Sequence, residues 1–131
     1  MNVSYIELTV QSDERGSLVA IEECEDVPFR IRRVYYLFRT QPGLQRGCHA
    51  HYRTRQVAIC LNGSCKAFLD DGKRRAEVTL DRPDQGLVIE PMVWHKVFEF
   101  SPNCMLLILA NTPYDESDYI RSYAAFLEEL S

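Results

Sequence analysis

An export signal, a membrane span and a basic surface are all missing from this sequence. The segment from Met1 to Val10 lacks the basic start and long apolar stretch of a signal peptide. No apolar run approaches the ~18 residues that a membrane-spanning helix requires. The 15 Lys and Arg fall short of the 19 Asp and Glu, leaving a formal charge of −4. That balance argues against a nucleic-acid partner, which needs a basic face. Metal-type cysteine spacing is absent too. The five cysteines stand at 24, 48, 60, 65 and 104 with no CxxC pair. An odd count without an export signal leads us to expect reduced thiols in a cytoplasm. Cys60 and Cys104 lie in or beside apolar runs and read as small core hydrophobes. Cys48 precedes a histidine, but strand alternation turns its side chain to the other face.

What is present is a chain of 131 residues, a length that fits one domain. Such a chain buries roughly two-thirds of its unfolded surface without needing a disulfide or metal to fold. No linker, repeat or low-complexity tract interrupts it. Short apolar or alternating runs are separated by turn signals instead: "QPG" at 41–43, "NG" at 62–63, "DDG" at 70–72, "RPD" at 82–84 and "SPN" at 101–103. Asn-Gly and Asp-Gly suit the positive backbone dihedrals of tight hairpins. The rhythm predicts strands near 4–10, 17–22, 29–38, 46–52, 55–61, 65–70, 75–80, 86–90, 94–100 and 104–110. In "DESDYIRSYAAFLEEL", Ile120, Tyr123, Ala124, Leu127 and Leu130 recur at helical spacing behind acidic residues, which predicts a short C-terminal helix. The expected fold is mainly β, a double-sheet jelly roll (cupin double-stranded β-helix) with that helix appended.

Histidine is scarce: there are 3, at 49, 51 and 95. In a strand, residues two apart point the same way, so His49 and His51 enter one space. After His51 come four residues, then Gln56, then six residues, then Gly63, a spacing that resembles the first metal-binding motif of cupins. The motif's glutamate position holds Gln56, whose neutral amide is a poor ligand for a divalent metal. The second motif is approximated by "GLVIEPMVWHKV" at 86–97, but His95 comes one residue early, and one residue along a strand reverses the face. These departures predict a metal-free pocket with two or three histidines. In "PFRIRRVYYLF", alternation places Arg33 and Tyr35 inward with Phe29, Ile31 and Leu37. A buried guanidinium needs an anion. That anion is either a carboxylate such as Glu90 or a ligand phosphate, which suits the arginine fork. Arg46 enters the strand that carries the histidines and can reach the same anion.

The segments "RGSLVAIE", "PFRIRRVYY", "RGCHAHYRTRQVAICLNGSCKAFLDDG", "GLVIEPMVWHKVFEFS" and "YDESDYIRSY" together resemble the dTDP-4-keto-6-deoxy-D-glucose 3,4-ketoisomerases. These small cupins make intermediates for 3-amino-3,6-dideoxy sugars of bacterial surface glycans. The resemblance covers nearly the whole chain. It implies a single cupin domain over 1–131 that dimerises by exchanging N-terminal strands, about residues 1–22. It implies a dTDP-linked keto sugar as substrate, no metal, no cofactor, and His49 and His51 as catalytic groups. It also implies that Arg33, Tyr35, Arg46 and Gln56 line the site. Members that make the galactose-configured product carry an arginine in the RGSL segment and a histidine after the tryptophan of VWH. Arg15 and His95 match that pair. His95 is expected to donate a proton near neutral pH, with Arg15 orienting. The product implied is dTDP-3-keto-6-deoxy-D-galactose, with the glucose-configured isomer as the alternative. The rival readings are a metal-dependent oxygenase on His49, His51 and His95, a non-catalytic sugar-nucleotide module, and a 3,5-epimerase. The related epimerases pair a histidine with an aspartate, a pattern not visible in the sequence.

Overall fold

A computed structural model describes residues 1–131. Two antiparallel five-stranded sheets face each other. One has the order β1 (Tyr5–Glu7), β9 (Gln85–Ile89), β6 (Gln56–Asn62), β11 (Met105–Ala110), β4 (Arg33–Leu37). The other has the order β12 (Tyr119–Ile120), β5 (Arg46–His51), β10 (Trp94–Phe98), β7 (Cys65–Asp70), β8 (Arg75–Leu80). A separate hairpin pairs β2 (Gln11–Asp13) with β3 (Gly16–Leu18). The expected mainly β jelly roll with a short C-terminal helix is what the chain forms.

The pattern of β6, QVAICLN, follows from its place. Ala58 and Cys60 face the core between the sheets, while Val57 and Ile59 join Leu8, Val27, Phe29 and Leu109 in a second cluster. A strand covered on both faces has no reason to alternate. The outer covering comes partly from Val19, Ile21, Val27, Phe29 and Ile31. That segment was expected to form strands over 17–22 and 29–38; strand structure there is confined to Gly16–Leu18 and Arg33–Leu37. Its apolar residues serve as a lid, with backbone ends tied locally by Cys24 N–H to the Phe29 carbonyl.

The C-terminus also departs from expectation. Glu116–Asp118 forms a 3₁₀ turn capped by Asp115, and Tyr119 and Ile120 pair with His51 and Ala50 as strand β12. Helix α1 spans Tyr123–Leu130, with Ser122 as N-cap accepting from the Ala125 N–H. Its buried anchor is Phe126, packed with Ala50 and Ile120, whereas Leu127 and Leu130 are 41% and 42% exposed. Ile120 therefore serves the sheet and not a helix face. No helix is long and apolar enough to cross a membrane.

Candidate active site

A β-bulge creates the site. His95 pairs with His49, but the next residue, Lys96, pairs with Gly47, so Cys48 is an extra residue on β5. Cys48 and Gly47 have φ of 52° and 95°. Without the bulge, Arg46 and His49, three apart, would point to opposite faces. With it, both line one cavity of about 520 Å³ together with His95. The reversed face expected for His95 is therefore not seen: His95 and Val97 both turn inward, and the His49 and His95 rings lie 4.7 Å apart.

The three imidazoles share one tautomer. Nδ1 of His49 meets the Gly47 carbonyl at 2.8 Å, Nδ1 of His95 meets the Val93 carbonyl at 3.0 Å, and Nδ1 of His51 meets an Asp118 carboxylate oxygen at 3.2 Å. Each partner only accepts, so each Nδ1 carries the hydrogen and each Nε2 keeps its lone pair. The Nε2 atoms of His49 and His51 are buried without a partner. Burial lowers the pKa of all three. His51 falls to about 4 through burial and the neighbouring His49, with Asp118 opposing. His95 falls to about 3 through burial and His49. His49 is lowered by burial, against the Gly47 carbonyl bond. All three are uncharged at neutral pH. This corrects the expectation that His95 donates a proton there: a neutral imidazole with its one N–H on Val93 accepts or orients.

The remaining expected residues fall as follows. Tyr35, Gln56, Arg33 and Arg46 line the cavity. Gln56 donates from Nε2 to the Tyr35 hydroxyl at 2.7 Å, leaving the tyrosine's hydrogen free to point elsewhere. Burial, mainly, raises the Tyr35 pKa, so the hydroxyl stays protonated. Arg33 lies 5.3 Å from the Tyr35 ring and 5.7 Å from the Tyr114 ring, and its Nε is buried and unpartnered. The carboxylate alternative for Arg33 does not hold, since Glu90 pairs with Arg55. Arg15 lies apart, on the β2–β3 hairpin, paired with Asp13, its side chain 84% exposed. It does not line this cavity. His51 is also absent from the wall: it is 2% exposed and sits behind His49, its ring 4.8 Å away, edge to face.

Four residues of the site escaped the sequence reading: Tyr114, Asp118, Tyr119 and Arg121. The buried Asp118 accepts from the Arg53 N–H at 2.7 Å, the Thr54 N–H at 3.2 Å, and the Thr54 hydroxyl. Burial pushes its pKa up, but the Thr54 hydroxyl, the Arg53 N–H and His51 outweigh it, and the net value is lowered. A histidine–aspartate pair therefore exists here, contrary to expectation, and its members are 67 positions apart. Tyr119 stacks 4.9 Å from the His49 ring and 4.3 Å from the His51 ring. Arg121 lies over Tyr119 and is held by Glu116 at 2.6 Å. The signal available was "YDESDYIR", where Tyr119-Ile120 before Ser122 reads as a short strand preceding a capped helix.

The ring nitrogens of the three histidines lie within 4.8 Å of one another, close enough to share an ion. No carboxylate joins them, and the cupin glutamate position is Gln56, its amide committed to Tyr35. The donor set is therefore three neutral imidazoles without the carboxylate of the cupin motif.

Comparison with known proteins assigns the chain to a family. Residues 1–131 match the family model described as "FdtA: WxcM-like, C-terminal". A TDP-4-oxo-6-deoxy-alpha-D-glucose-3,4-oxoisomerase of Aneurinibacillus thermoaerophilus is 54% identical over 119 residues, 91% of this chain and 86% of that protein. The chain belongs to the FdtA-like sugar 3,4-ketoisomerases. It is accordingly an isomerase. Among solved structures, the 3,4-ketoisomerase QdtA of Thermoanaerobacterium thermosaccharolyticum, in complex with TDP, superposes on this ketoisomerase with a TM-score of 0.95 at 42% identity, covering 98% of this chain and 93% of the other. A histidine-to-asparagine variant of QdtA, bound to TDP-4-keto-6-deoxyglucose, superposes with the same TM-score of 0.95 at 41% identity over the same shares, 98% and 93%.

Proposed function

We propose that this ketoisomerase converts dTDP-4-keto-6-deoxy-D-glucose to dTDP-3-keto-6-deoxy-D-galactose, for 3-amino-3,6-dideoxy sugars of surface glycans, by proton transfer through an enediolate. The observation that carries the mechanism is the neutral His49 imidazole at the cavity wall with its Nε2 unpartnered. The C4 ketone acidifies the proton on C3. His49 Nε2 removes it, giving an enediolate across C3 and C4. The proton of the C3 hydroxyl passes to the oxygen at C4, C4 takes a proton, and the ketone is left at C3. Nothing is oxidised overall, and no redox cofactor is called for.

Each neighbour has a part. Tyr35, protonated and steadied by Gln56, donates to the oxygen at C4, where charge develops. Arg33 and Arg46 supply guanidinium charge at the cavity for the diphosphate. His51, behind His49 and off the cavity wall, returns the proton by way of His49. Asp118 fixes the His51 ring and favours its charged form while a proton is in transit. His95 bounds the face on which C4 is reprotonated, as an orienting imidazole.

Arg15 acts from a second copy of the chain. Every residue of β2 and β3 is exposed, and their hairpin pairs with neither large sheet. Exchange of N-terminal strands in a homodimer gives Arg15 a route to the partner's cavity. The product configuration rests on Arg15 and His95. The test is to mix the protein with dTDP-4-keto-6-deoxyglucose and follow the sugar by proton NMR. A small H4–H5 coupling, from an axial C4 hydroxyl, supports the galactose product. A large coupling assigns the glucose isomer. An unchanged substrate spectrum leaves only a binding module. Activity that requires about one metal per chain returns the oxygenase reading.

A further inference from the structure

A second cluster of reactive side chains lies away from the imidazoles. Cys60 ends its side chain in the core from β6, Cys65 from the start of β7, and Cys104 from just before β11. All three are 1% exposed, and their Sγ atoms lie within 4.8 Å of one another. Leu69, the partner of His95, lies four residue steps along β7 from Cys65, or roughly 13 Å of strand. The thiols thus lie in the core beyond the cavity floor, away from the imidazoles.

Core packing accounts for one buried cysteine at a time; it does not call for three sulfurs facing each other. A thiolate bonds a soft ion at about 2.3 Å, so three around one centre stand about 4 Å apart in a planar arrangement and about 3.5 Å apart in a pyramidal one. The Cys60 and Cys104 sulfurs are 3.9 Å apart. The surroundings then select the ion. Leu80, Leu87, Phe100 and Leu106 belong to the same core cluster, and no Lys or Arg is among the buried residues of the chain. Three thiolates around a divalent ion would leave a net negative charge in that apolar space, which is costly. Around a trivalent ion they give a neutral complex.

We propose that Cys60, Cys65 and Cys104 form a binding site for a soft trivalent ion, with arsenite as its simplest form. Arsenous acid, As(OH)₃, condenses with three thiols to give As(S-Cys)₃ and three waters. Three As–O and three S–H bonds break, and three As–S and three O–H bonds form. Arsenic stays at +3, and no oxidant is consumed. No empty cavity is required, because the ion takes the space of the departing thiol hydrogens. Entry lies through the adjoining turns, where the Asn62 side chain donates to the Asn103 carbonyl at 2.9 Å and the Ser64 N–H donates to the Ser101 hydroxyl at 2.9 Å. Uptake therefore follows local opening and is slow.

The test is native mass spectrometry of the reduced, full-length protein after incubation with sodium arsenite and desalting. One arsenic per chain is expected, with the mass of three hydrogens lost. A Cys24→Ser/Cys48→Ser variant should retain it equally, and Cys65→Ala should retain at least tenfold less. Should Cys65→Ala fail to fold, the wild-type chain is loaded, unfolded in iodoacetamide and mapped. Cys60, Cys65 and Cys104 should then be spared while Cys24 and Cys48 are alkylated. No retained arsenic in the wild type, retention undiminished in folded Cys65→Ala, or protection of Cys24 or Cys48 instead would overturn the proposal.

Discussion

With Nδ1 of His49 committed to the Gly47 carbonyl, only Nε2 remains to take a proton from the substrate. His49→Asn should leave the fold intact and lower turnover by the ~10²–10⁴ typical of a lost general base. A steady-state assay retaining more than about a tenth of wild-type rate would remove His49 from that role. His51→Asn should be similarly damaging, and the double variant no worse than either, because both serve one proton path. Asp118→Asn tests the pair behind it. Loss of the carboxylate should lower turnover about 10- to 100-fold, as for other residues that fix a functional imidazole. It also removes a group that raises the His51 pKa, so the acid limb of kcat/KM should move to lower pH; an unmoved limb would make Asp118 merely structural. In the wild type that limb should already lie below the ordinary histidine value near 6.5, because both bases are pushed down by burial. Arg33→Ala should weaken dTDP binding in titration more than it slows the bound reaction. The HxH pair was legible because strand periodicity fixes faces over two residues. Asp118 was not, since no local rule links it to His51 across the intervening strands.

The element that decides the site is the bulge in β5. Alternation alone puts Arg46 and His49 on opposite faces, and the sequence carries only a faint mark of the exception, the glycine at 47. A Cβ on Gly47 would stand 3.3 Å from the His95 carbonyl oxygen, on a residue with φ +95°. Gly47→Ala should therefore cost about 1–3 kcal/mol in urea unfolding and reduce kcat/KM by misplacing Arg46 and His95; neutral behaviour in both assays would show that the bulge does not need glycine. At the C-terminus, helical spacing misled because Ile120 satisfies two patterns, and pairing of Tyr119 and Ile120 with β5 prevails over one more turn of helix. The N-terminal hairpin carries a prediction of its own. Arg15→Tyr with His95→Arg should shift the product toward the glucose configuration, read from the H4–H5 coupling, if a second copy's hairpin completes the cavity. A ratio that does not move would free both positions of that control.

At the scale of the whole molecule, the architecture was readable because turn signals recur about every ten residues and β6 and β11 are apolar runs too short for core helices. What lay beyond reading was the covering of the first sheet by 19–31, where apolar residues pack without strand pairing. Two buried neutral imidazoles, His51 and His95, also set the pH response of stability. Unfolded histidines titrate near 6.5, while in the fold His51 and His95 titrate at about 4 and about 3. Below pH ~6.5 the unfolded chain binds protons that the folded chain refuses, so stability should fall as pH drops through this window. Urea midpoints at pH 7 and pH 5 check this; a higher midpoint at pH 5 would contradict it. The central claim, that the carbonyl moves by proton transfer through an enediolate, is tested most directly by running the reaction on dTDP-4-keto-6-deoxyglucose in D₂O. The account predicts a 3-keto product with solvent deuterium at C4 and none at C5, formed by the wild type and not by His49→Asn. Label at C5 would mean an epimerase, and conversion by His49→Asn at the wild-type rate with the C3 hydrogen fully retained at C4 would mean a hydride shift; either would contradict it.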